Sequence, residues 1–402
     1  MCSSDLAFLE AHKIKAVVRD ERFAGTPIDA LFHGTLRLTQ EEAVAKVLQY
    51  DNGLVGAPSA FGKTALAAWL VAKRGVNALV LVHRQQLLDQ WRERLAMFLN
   101  LRIDEIGQVG GGKTKRTGVI DVAVIQSLHR DTEVKVDECH HLSAFTFEQV
   151  TRQVKAKYVV GLTATPTRKD GHHPIIYMQC GPARFTMAVR AMTDSTPFEH
   201  VVIPRATEFR VPAAAEATIQ DIYTAMTTDD QRNLKIANDV TRAVEQGRSP
   251  LVLTGRTEHL KHLEATLVGR VPNIVVLKGG MGRKQRREVN ERLATIPESE
   301  PRLILATGSY IGEGFDDARL ATLFLAMPIS WKGTLQQYVG RLHRLHDGKK
   351  VVEVYDYVDG DVMMLARMYG RRLKGYADMG YKVNRFTEEE QAAHSEVLTD
   401  AG

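Results

Sequence analysis

The sequence has few cysteines and no long apolar run. Its 402 residues include three cysteines, Cys2, Cys139 and Cys180, and no C-x-x-C pair. Isolated cysteines exclude a disulfide framework and a structural zinc site of the usual spacing. No stretch approaches the roughly 18 apolar residues of a membrane span. The N-terminus lacks the basic and then apolar pattern of a signal peptide. We therefore expect a cytoplasmic protein that does not enter a membrane.

The overall composition is that of a soluble globular protein, with 44% hydrophobic and 25% charged residues. The chain is too long for one ordinary core, so two domains of about 150–200 residues are expected. A net charge of +5 is compatible with a polyanionic partner, but many soluble proteins are mildly basic. The first residues, MCSSDLA, resemble a translated adaptor sequence, and we expect the natural chain to begin further upstream.

Two blocks of the chain share one pattern, in which short β-branched, apolar runs alternate with helix-like segments. The runs span residues 53–58, 78–84, 121–127, 134–138 and 158–165 in the first block, and 250–255, 273–280, 302–308, 321–328 and 351–357 in the second. Continuous apolar strands that alternate with helices indicate parallel sheets covered on both faces. The predicted fold is therefore α/β, with two lobes that each contain a parallel sheet flanked by helices.

The predicted domain boundary lies near residues 190–205, where Pro, Ser and Thr interrupt the pattern. We expect residues 1–35 to be the remnant of an upstream region. The first lobe is predicted over residues 36–195 and the second over residues 196–360. A helical extension and a frayed tail are expected over residues 361–402.

The segment APSAFGKT, residues 57–64, ends the first apolar run and precedes a helix-forming stretch. A small residue, four residues of any kind and then Gly-Lys-Thr are typical of a phosphate-binding loop. Lys63 would reach the β and γ oxygens there, and the Thr64 hydroxyl would ligate Mg²⁺. The alternative is a chance Gly-Lys-Thr before a buried helix. Ala60 stands where many loops have glycine, and we expect alanine to be tolerated if its φ stays negative. The candidate nucleotide-binding residues of the loop are Ala57, Pro58, Ser59, Ala60, Phe61, Gly62, Lys63 and Thr64.

Asp137 and Glu138 follow another apolar run, in VKVDECHH. An aspartate at a strand end can hold Mg²⁺ through water, and a neighbouring glutamate can polarise the attacking water. The alternatives are a surface acidic pair and a metal site that includes the adjacent Cys-His-His, which is poorly arranged to surround one ion. The connection over residues 128–134 is shorter than the dozen or more residues that a crossover between parallel strands usually needs. The position of Asp137 therefore depends on how that connection is built.

Four motifs occur in one order along the chain: APSAFGKT, DECH, GLTATPTRKDG and QYVGRLHR. Together they resemble the superfamily 2 helicases and translocases of the DEAD/DEAH type, over about residues 36–358. Within that superfamily the chain looks closest to helicase subunits of restriction systems, XPB-like proteins and bacterial conflict-system helicases that can follow a primase-like domain. The resemblance implies two RecA-like P-loop lobes that close on ATP and Mg²⁺.

The resemblance also implies residue roles. Gln40, in LRLTQEEAV, would contact the adenine base, although a glutamine at a helix start is commonly a cap. Arg341 and Arg344 would stabilise the γ-phosphate charge from across the cleft, and their spacing of three predicts one shared helix face. The catalytic set would be completed by Glu138, Lys63 and Gln337. The remaining assignments are Gly314 and Asp316 near the ribose and lobe interface, Thr163, Ala164 and Thr165 for coupling hydrolysis to lobe movement, and His83, Arg84, Gln126 and Ser127 for nucleic-acid contact.

These features predict an ATP-hydrolysing helicase or translocase that moves on DNA in a restriction, defence or repair context. No aromatic residues interleave with the basic run at residues 282–289, which favours phosphate contacts with little sequence specificity over base recognition. No nuclease constellation is evident, so we expect a nuclease or primase-like partner. The alternatives are a truncated, catalytically impaired DNA-binding remnant of such a motor and a different P-loop NTPase.

Overall fold

The computed structural model describes most of the chain as three sheets flanked by helices. The described residues are 11–12, 14, 20–128, 155–164, 173–211, 218–311, 315, 317–329 and 332–384. The strands are β1 (Asn52–Gly56), β2 (Ala78–Val82), β3 (Ile106–Gly110), β4 (Lys113–Lys115), β5 (Ile120–Val124), β6 (Val159–Thr163), β7 (Ala183–Thr186), β8 (Glu199–Ala206), β9 (Pro250–Thr254), β10 (Ile274–Leu277), β11 (Leu303–Thr307), β12 (Thr322–Leu325), β13 (Val351–Val358) and β14 (Lys382–Val383). The α-helices are α1 (Leu38–Leu48), α2 (Lys63–Arg74), α3 (Gln85–Leu99), α4 (His173–Cys180), α5 (Val189–Asp194), α6 (Ile219–Thr228), α7 (Asp230–Glu245), α8 (Thr257–Leu267), α9 (Arg283–Thr295), α10 (Gly308–Ile311), α11 (Lys332–Val339) and α12 (Met363–Asp378).

The first lobe contains two of the sheets. One is parallel, in the order β6-β1-β7, and the other has the order β2-β5-β3-β4 with β4 antiparallel to β3. Helices α1, α2 and α3 share one apolar core with strands of both sheets, through side chains such as Val44, Leu66 and Leu88. Cys180 of α4 packs with Leu54 in a smaller cluster formed by other residues of these strands. The strands therefore carry helices on both faces, as continuous apolar runs predict.

The second lobe is built on one seven-stranded sheet in the order β10-β11-β9-β12-β13-β8-β14. All of its strand pairs are parallel. One apolar cluster includes Leu335 of α11 and Tyr376 of α12, and another includes Ile236 of α7 and Leu263 of α8. The predicted α/β class with helix-flanked parallel sheets is confirmed. The expected strand at residues 134–138 lies outside the described residues.

Residues on both flanks of the predicted lobes pack onto them. Ile28 donates its backbone N–H to the carbonyl of Gly75 at 2.9 Å, in the first lobe. In the second lobe, β14 adds a strand beside Val201 and Val202 of β8. Of the predicted C-terminal extension, residues 361–384 thus contribute a helix and a strand to the second lobe. The exact domain limits stay a prediction. Within the described ranges, no helix is long and apolar enough to cross a membrane.

Candidate nucleotide site between the lobes

The phosphate-binding motif forms a loop between β1 and α2. The register of β1 and β6 places Gly56 opposite Thr163, and the Ala57 N–H donates to the Thr163 carbonyl at 2.9 Å. The predicted coupling residues Thr163 and Ala164 therefore lie at the start of the loop, with Thr163 fully buried. Gly62, with φ 86°, directly precedes the helix. This strand–loop–helix arrangement is the one that directs helix N–H groups toward a phosphate.

Lys63 is the first residue of α2, and its side chain turns back over the loop. Its ammonium donates to the carbonyl of Ala57 at 3.0 Å and to that of Pro58 at 3.3 Å. The first turn of α2 contains no acidic residue, while Lys73 and Arg74 lie in its last turn. The positive end of the helix dipole therefore faces the loop without a neutralising carboxylate. Such a site favours an anion.

Ala60 adopts a left-handed conformation, with φ 67°. The negative φ on which the expected tolerance of alanine depended is therefore absent at this residue. A left-handed alanine costs roughly 1–2 kcal/mol because its Cβ approaches the following carbonyl. The loop therefore holds a strained residue, which is a common feature of ligand-binding loops.

Gln40 connects the start of α1 to the loop. Its side-chain oxygen accepts the backbone N–H of Arg37 at 2.8 Å, and its amide nitrogen donates to the Phe61 carbonyl at 2.7 Å. Gln40 is buried, and a Cβ at Gly62 would collide with its amide nitrogen. In this structure Gln40 is thus a helix cap that also anchors the loop. The predicted adenine contact stays a prediction.

Arg37 is a further residue of the site. Its guanidinium donates to the carbonyl of Phe61 and, at 3.3 Å, to that of Ala60. Partial removal from water lowers the pKa of Arg37, and the positive charge of Arg344 lowers it further. Two cations from different lobes therefore act on each other beside the loop. An anion between the lobes would relieve this repulsion.

The predicted arginine motif lies opposite the loop. Gln337 belongs to α11, but residues Gly340–His343 form a 3-10 helix and Arg344 follows it in an extended conformation, with ψ 132°. The expectation that Arg341 and Arg344 share one helix face is therefore wrong. Because the α-helix ends before Gly340, the positions of the two arginines depend on the contacts of this short segment. We call residues 340–344 the arginine segment.

The arginine segment contacts the loop directly. A Cβ built on Gly340 would lie 3.0 Å from the Cβ of Ser59. Residues from both sequence-predicted halves of the site thus meet across one cleft. Asp137, Glu138, Thr165, Gly314 and Asp316 lie outside the described residues, so their predicted roles stay predictions.

The predicted nucleic-acid residues of the first lobe lie along one rim. Strands β2 and β5 pair in parallel, so their carboxyl ends lie side by side. The Gln126 side chain donates to the His83 carbonyl at 3.2 Å, which joins the two strand ends. Arg84, Gln126 and Ser127 are exposed, whereas His83 is buried. These three exposed residues present polar groups to a nucleic-acid strand that would pass over this rim.

The carboxyl edge of the second sheet holds a cavity of about 510 Å³ that the sequence did not indicate. Thr254 and Arg256, at the end of β9, line it together with Tyr223 and Tyr338. Below it, His259 is fully buried. The side chain of Thr254 contacts His259 Nδ1 at 3.0 Å, and Nε2 contacts the side-chain oxygen of Asn233 at 2.8 Å. This network fixes the end of β9.

The first lobe matches a family of restriction-enzyme subunits. Residues 33–168 match the family described as "Type III restriction enzyme, res subunit". The chain is also 25% identical to the probable helicase D10 of Escherichia phage T5 over 398 residues, which are 96% of this chain and 84% of that protein. The chain thus contains a helicase-type domain over residues 33–168 and is similar to helicases along most of its length.

Two further comparisons agree with this similarity to helicases. The chain is 30% identical over 164 residues to the DNA 3'-5' translocase XPB2 of Sulfurisphaera tokodaii, covering 39% of this chain and 37% of that protein. The structure of S. cerevisiae Dbp5 bound to RNA and ADP BeF3 superposes with a TM-score of 0.63 at 10% identity, covering 100% of this chain and 97% of that chain. The second likeness shows the shared two-lobe fold. The family match and the helicase relatives together indicate an ATP-hydrolysing enzyme of the helicase type.

Proposed function

We propose that this protein is a superfamily 2 ATP-driven motor that moves on DNA, and that the cleft between the loop and the arginine segment is its hydrolysis site. The contact between Ser59 and Gly340 supports the proposal most strongly, because the phosphate-binding loop and the arginine segment approach each other there. DNA is favoured as the nucleic acid because the Sulfurisphaera tokodaii relative is named a DNA translocase and the family match is to a restriction subunit.

The chemistry that the cleft supports is stabilisation of charge during phosphoryl transfer. Hydrolysis leaves negative charge on the γ-phosphate oxygens, and cations fixed on both sides of that phosphate stabilise it. Lys63 supplies one cation from the loop, while Arg341 and Arg344 supply two from the arginine segment. An arginine finger of this kind typically contributes about 10³–10⁵ in rate. Gln337, on α11 just before the segment, would complete the set.

Mg²⁺ would be held by Thr64 and Asp137, and Glu138 would polarise the attacking water. The described part of the chain fits such a ligand set, since Thr64 follows Lys63 in the first turn of α2. When bound, the ion would neutralise charge on the phosphates and orient them. Gly314 and Asp316 are proposed to lie near the ribose.

Movement would follow from coupling this cleft to the rim of the first lobe. Thr163 and Ala164, which we propose to couple hydrolysis to movement together with Thr165, lie at the start of the loop. Arg84, together with the nearby Gln126 and Ser127, would contact the DNA backbone with little sequence specificity. Opening and closing of the lobes during each ATP cycle would then make the two lobes bind the DNA strand tightly in alternation. A nuclease or primase-like partner would supply any cleavage or priming.

Steady-state ATPase assays of the full chain test the proposal. We expect stimulation by single-stranded or duplex DNA, and loss of about 10²–10³ in turnover in Lys63→Ala, because this variant removes a cation at the developing charge. Lys73→Ala, at the exposed end of the same helix, should behave as wild type. A turnover that is unaffected by Lys63→Ala, or a rate that no DNA stimulates, would contradict the proposal. Displacement of a triplex-forming strand would report movement along DNA.

A further inference from the structure

Lys349 holds backbone carbonyls from two separate segments of the second lobe. Its ammonium donates to the carbonyls of Leu342 at 3.0 Å and Arg344 at 2.7 Å, both in the arginine segment. It also donates to the carbonyls of Ala318 at 2.9 Å and Leu320 at 2.8 Å, just before β12. Lys349 thus ties the arginine segment to the loop that precedes β12.

These carbonyls need an external donor because of how the arginine segment ends. The 3-10 helix stops at His343 and Arg344 is extended, so the regular helical hydrogen-bond pattern ends within the segment. A cation near the C-terminal end of a helical segment satisfies them and complements the local dipole. The half-buried ammonium of Lys349 also lies 5.5 Å from the centroid of the Phe198 ring, which fixes its position further.

We infer that Lys349 is a positioning residue that fixes the backbone of the arginine segment, and thereby Arg341 and Arg344, at the cleft. It donates to main-chain oxygens and acts on the cleft through the two arginines. The consequence for catalysis rests on the proposed function. The structural consequence, an ordered segment at residues 340–344, follows from the hydrogen bonds alone.

Burial, more than the nearby charges, sets the pKa of the Lys349 ammonium. Burial lowers its pKa to about 8, against the opposing effect of Asp317. Asp317 is itself paired with Arg302. The neighbouring His200 and His343 are neutral near pH 7, since burial lowers their pKa to about 4 and about 3. The ammonium is therefore the group in this cluster that loses its proton in mildly alkaline solution. The hydrogen bonds to the four carbonyls then lose one N–H donor and the positive charge that strengthens them.

Amide hydrogen exchange of the full chain tests the inference directly. In Lys349→Met, we expect the amides of residues 340–345 to exchange about tenfold faster or more, the effect of losing a charge-assisted hydrogen bond. The matched control is Lys350→Met, which removes the exposed neighbouring ammonium and should change nothing. The kcat for ATP should fall in Lys349→Met with little change in KM, because fixed arginines matter most in the transition state. Lys349→Arg should restore most of both properties.

Two outcomes would overturn the inference. Unchanged exchange at residues 340–345 in folded Lys349→Met is one. If that variant does not fold, hydrogen exchange of the wild-type protein tests the inference instead. Its exchange at these residues, corrected for base catalysis, should rise above pH 8 while β11 stays protected, and the absence of that rise would also overturn the inference. A wild-type chain that hydrolyses no ATP would contradict the proposed function alone, since the exchange measurements would still report what Lys349 holds.

Discussion

Gly340 of the second lobe packs against Ser59 of the phosphate loop. A Cβ at residue 340 would lie 3.0 Å from the Ser59 Cβ and 3.6 Å from its Oγ, so one of the two walls would have to move. The φ of Gly340 is outside the left-handed region, so its own backbone does not require glycine. The requirement comes from the opposite lobe. Glycine here sets how closely the arginine segment approaches the loop.

Gly340→Ala should therefore slow hydrolysis without unfolding the protein. A displacement of a few tenths of an ångström moves the arginines away from the phosphate, and misplacement on the 1 Å scale costs about 10²-fold in rate. We expect kcat for ATP to fall by about tenfold or more, with the free energy of unfolding changed by less than about 1 kcal/mol. Steady-state kinetics and urea unfolding measure the two quantities.

The matched control for Gly340→Ala is Gly370→Ala in α12, where a Cβ would meet no atom within 4 Å. This variant should keep the wild-type kcat. Ser59→Gly combined with Gly340→Ala removes the opposing Cβ and should recover part of the lost rate. A Gly340→Ala enzyme with normal kcat would show that the two residues do not meet during turnover.

Ala60 offers a test of strain in the loop. Its φ of 67° suits glycine, whereas a β-branched side chain is a genuine outlier there. Ala60→Gly should leave the free energy of unfolding within about 1 kcal/mol of wild type, because relief of strain and added unfolded-state entropy oppose each other. Ala60→Val should lower it by about 2 kcal/mol or more. Urea unfolding of both variants is the measurement, and equal stabilities would mean that the left-handed conformation is not retained.

The sequence predicted the strands that are continuous apolar runs and missed those of other character. The predicted runs cover β1, β2, β5, β6 and β9–β13. Strand β8 alternates exposed or partly exposed residues with buried ones and contains Pro204, so it was taken as the boundary between lobes. Proline is tolerated there because β14 pairs with Val201 and Val202, so within the described residues no ladder hydrogen bond to β14 is needed from residue 204.

The sequence likewise predicted some residues of the candidate site and missed others. Lys63, Thr64 and Gly62 follow from local spacing, since one loop and one helix start place all three. Arg37 and Lys349 act through contacts with backbone carbonyls of distant residues, Phe61 and Ala318 among them. A main-chain oxygen is present at every residue, so the pairing leaves no mark in the sequence. Such positioning residues become visible only once the segments are brought together.

Arg84 should contribute to nucleic-acid affinity without contributing to sequence preference. It is exposed at the carboxyl end of β2, on the rim that Gln126 shares. Arg84→Ala should weaken binding to unrelated DNA sequences equally and reduce the slope of log K against log salt by about 1. The control is Arg102→Ala, which removes an exposed arginine before β3 at the opposite end of the strands. Titrations at several salt concentrations give the slope, and a loss confined to one sequence would indicate base contact instead.

His259 should make the second lobe sensitive to acid. The Asn233 amide nitrogen donates to the Thr227 carbonyl at 3.1 Å, so its oxygen accepts from His259 Nε2–H, and Nδ1 accepts from Thr254. Burial, with smaller effects from the charges of Arg232 and His262, lowers the pKa of His259 to about 3.

The sign of the His259 effect follows from this pKa. As pH falls below 6.5, His259 becomes protonated in the unfolded chain. In the folded chain it stays neutral until about pH 3. The stability due to neutral His259 is therefore complete above pH 6.5 and is lost by about 1.4 kcal/mol per pH unit below it. His259→Gln should be less stable at pH 7, with a flatter pH dependence by that amount in urea unfolding between pH 7.5 and 5. The matched control is His33→Gln, which replaces an exposed histidine of the first lobe and should keep the wild-type slope. An unchanged slope in His259→Gln would mean that His259 binds a proton equally well in the folded and the unfolded protein.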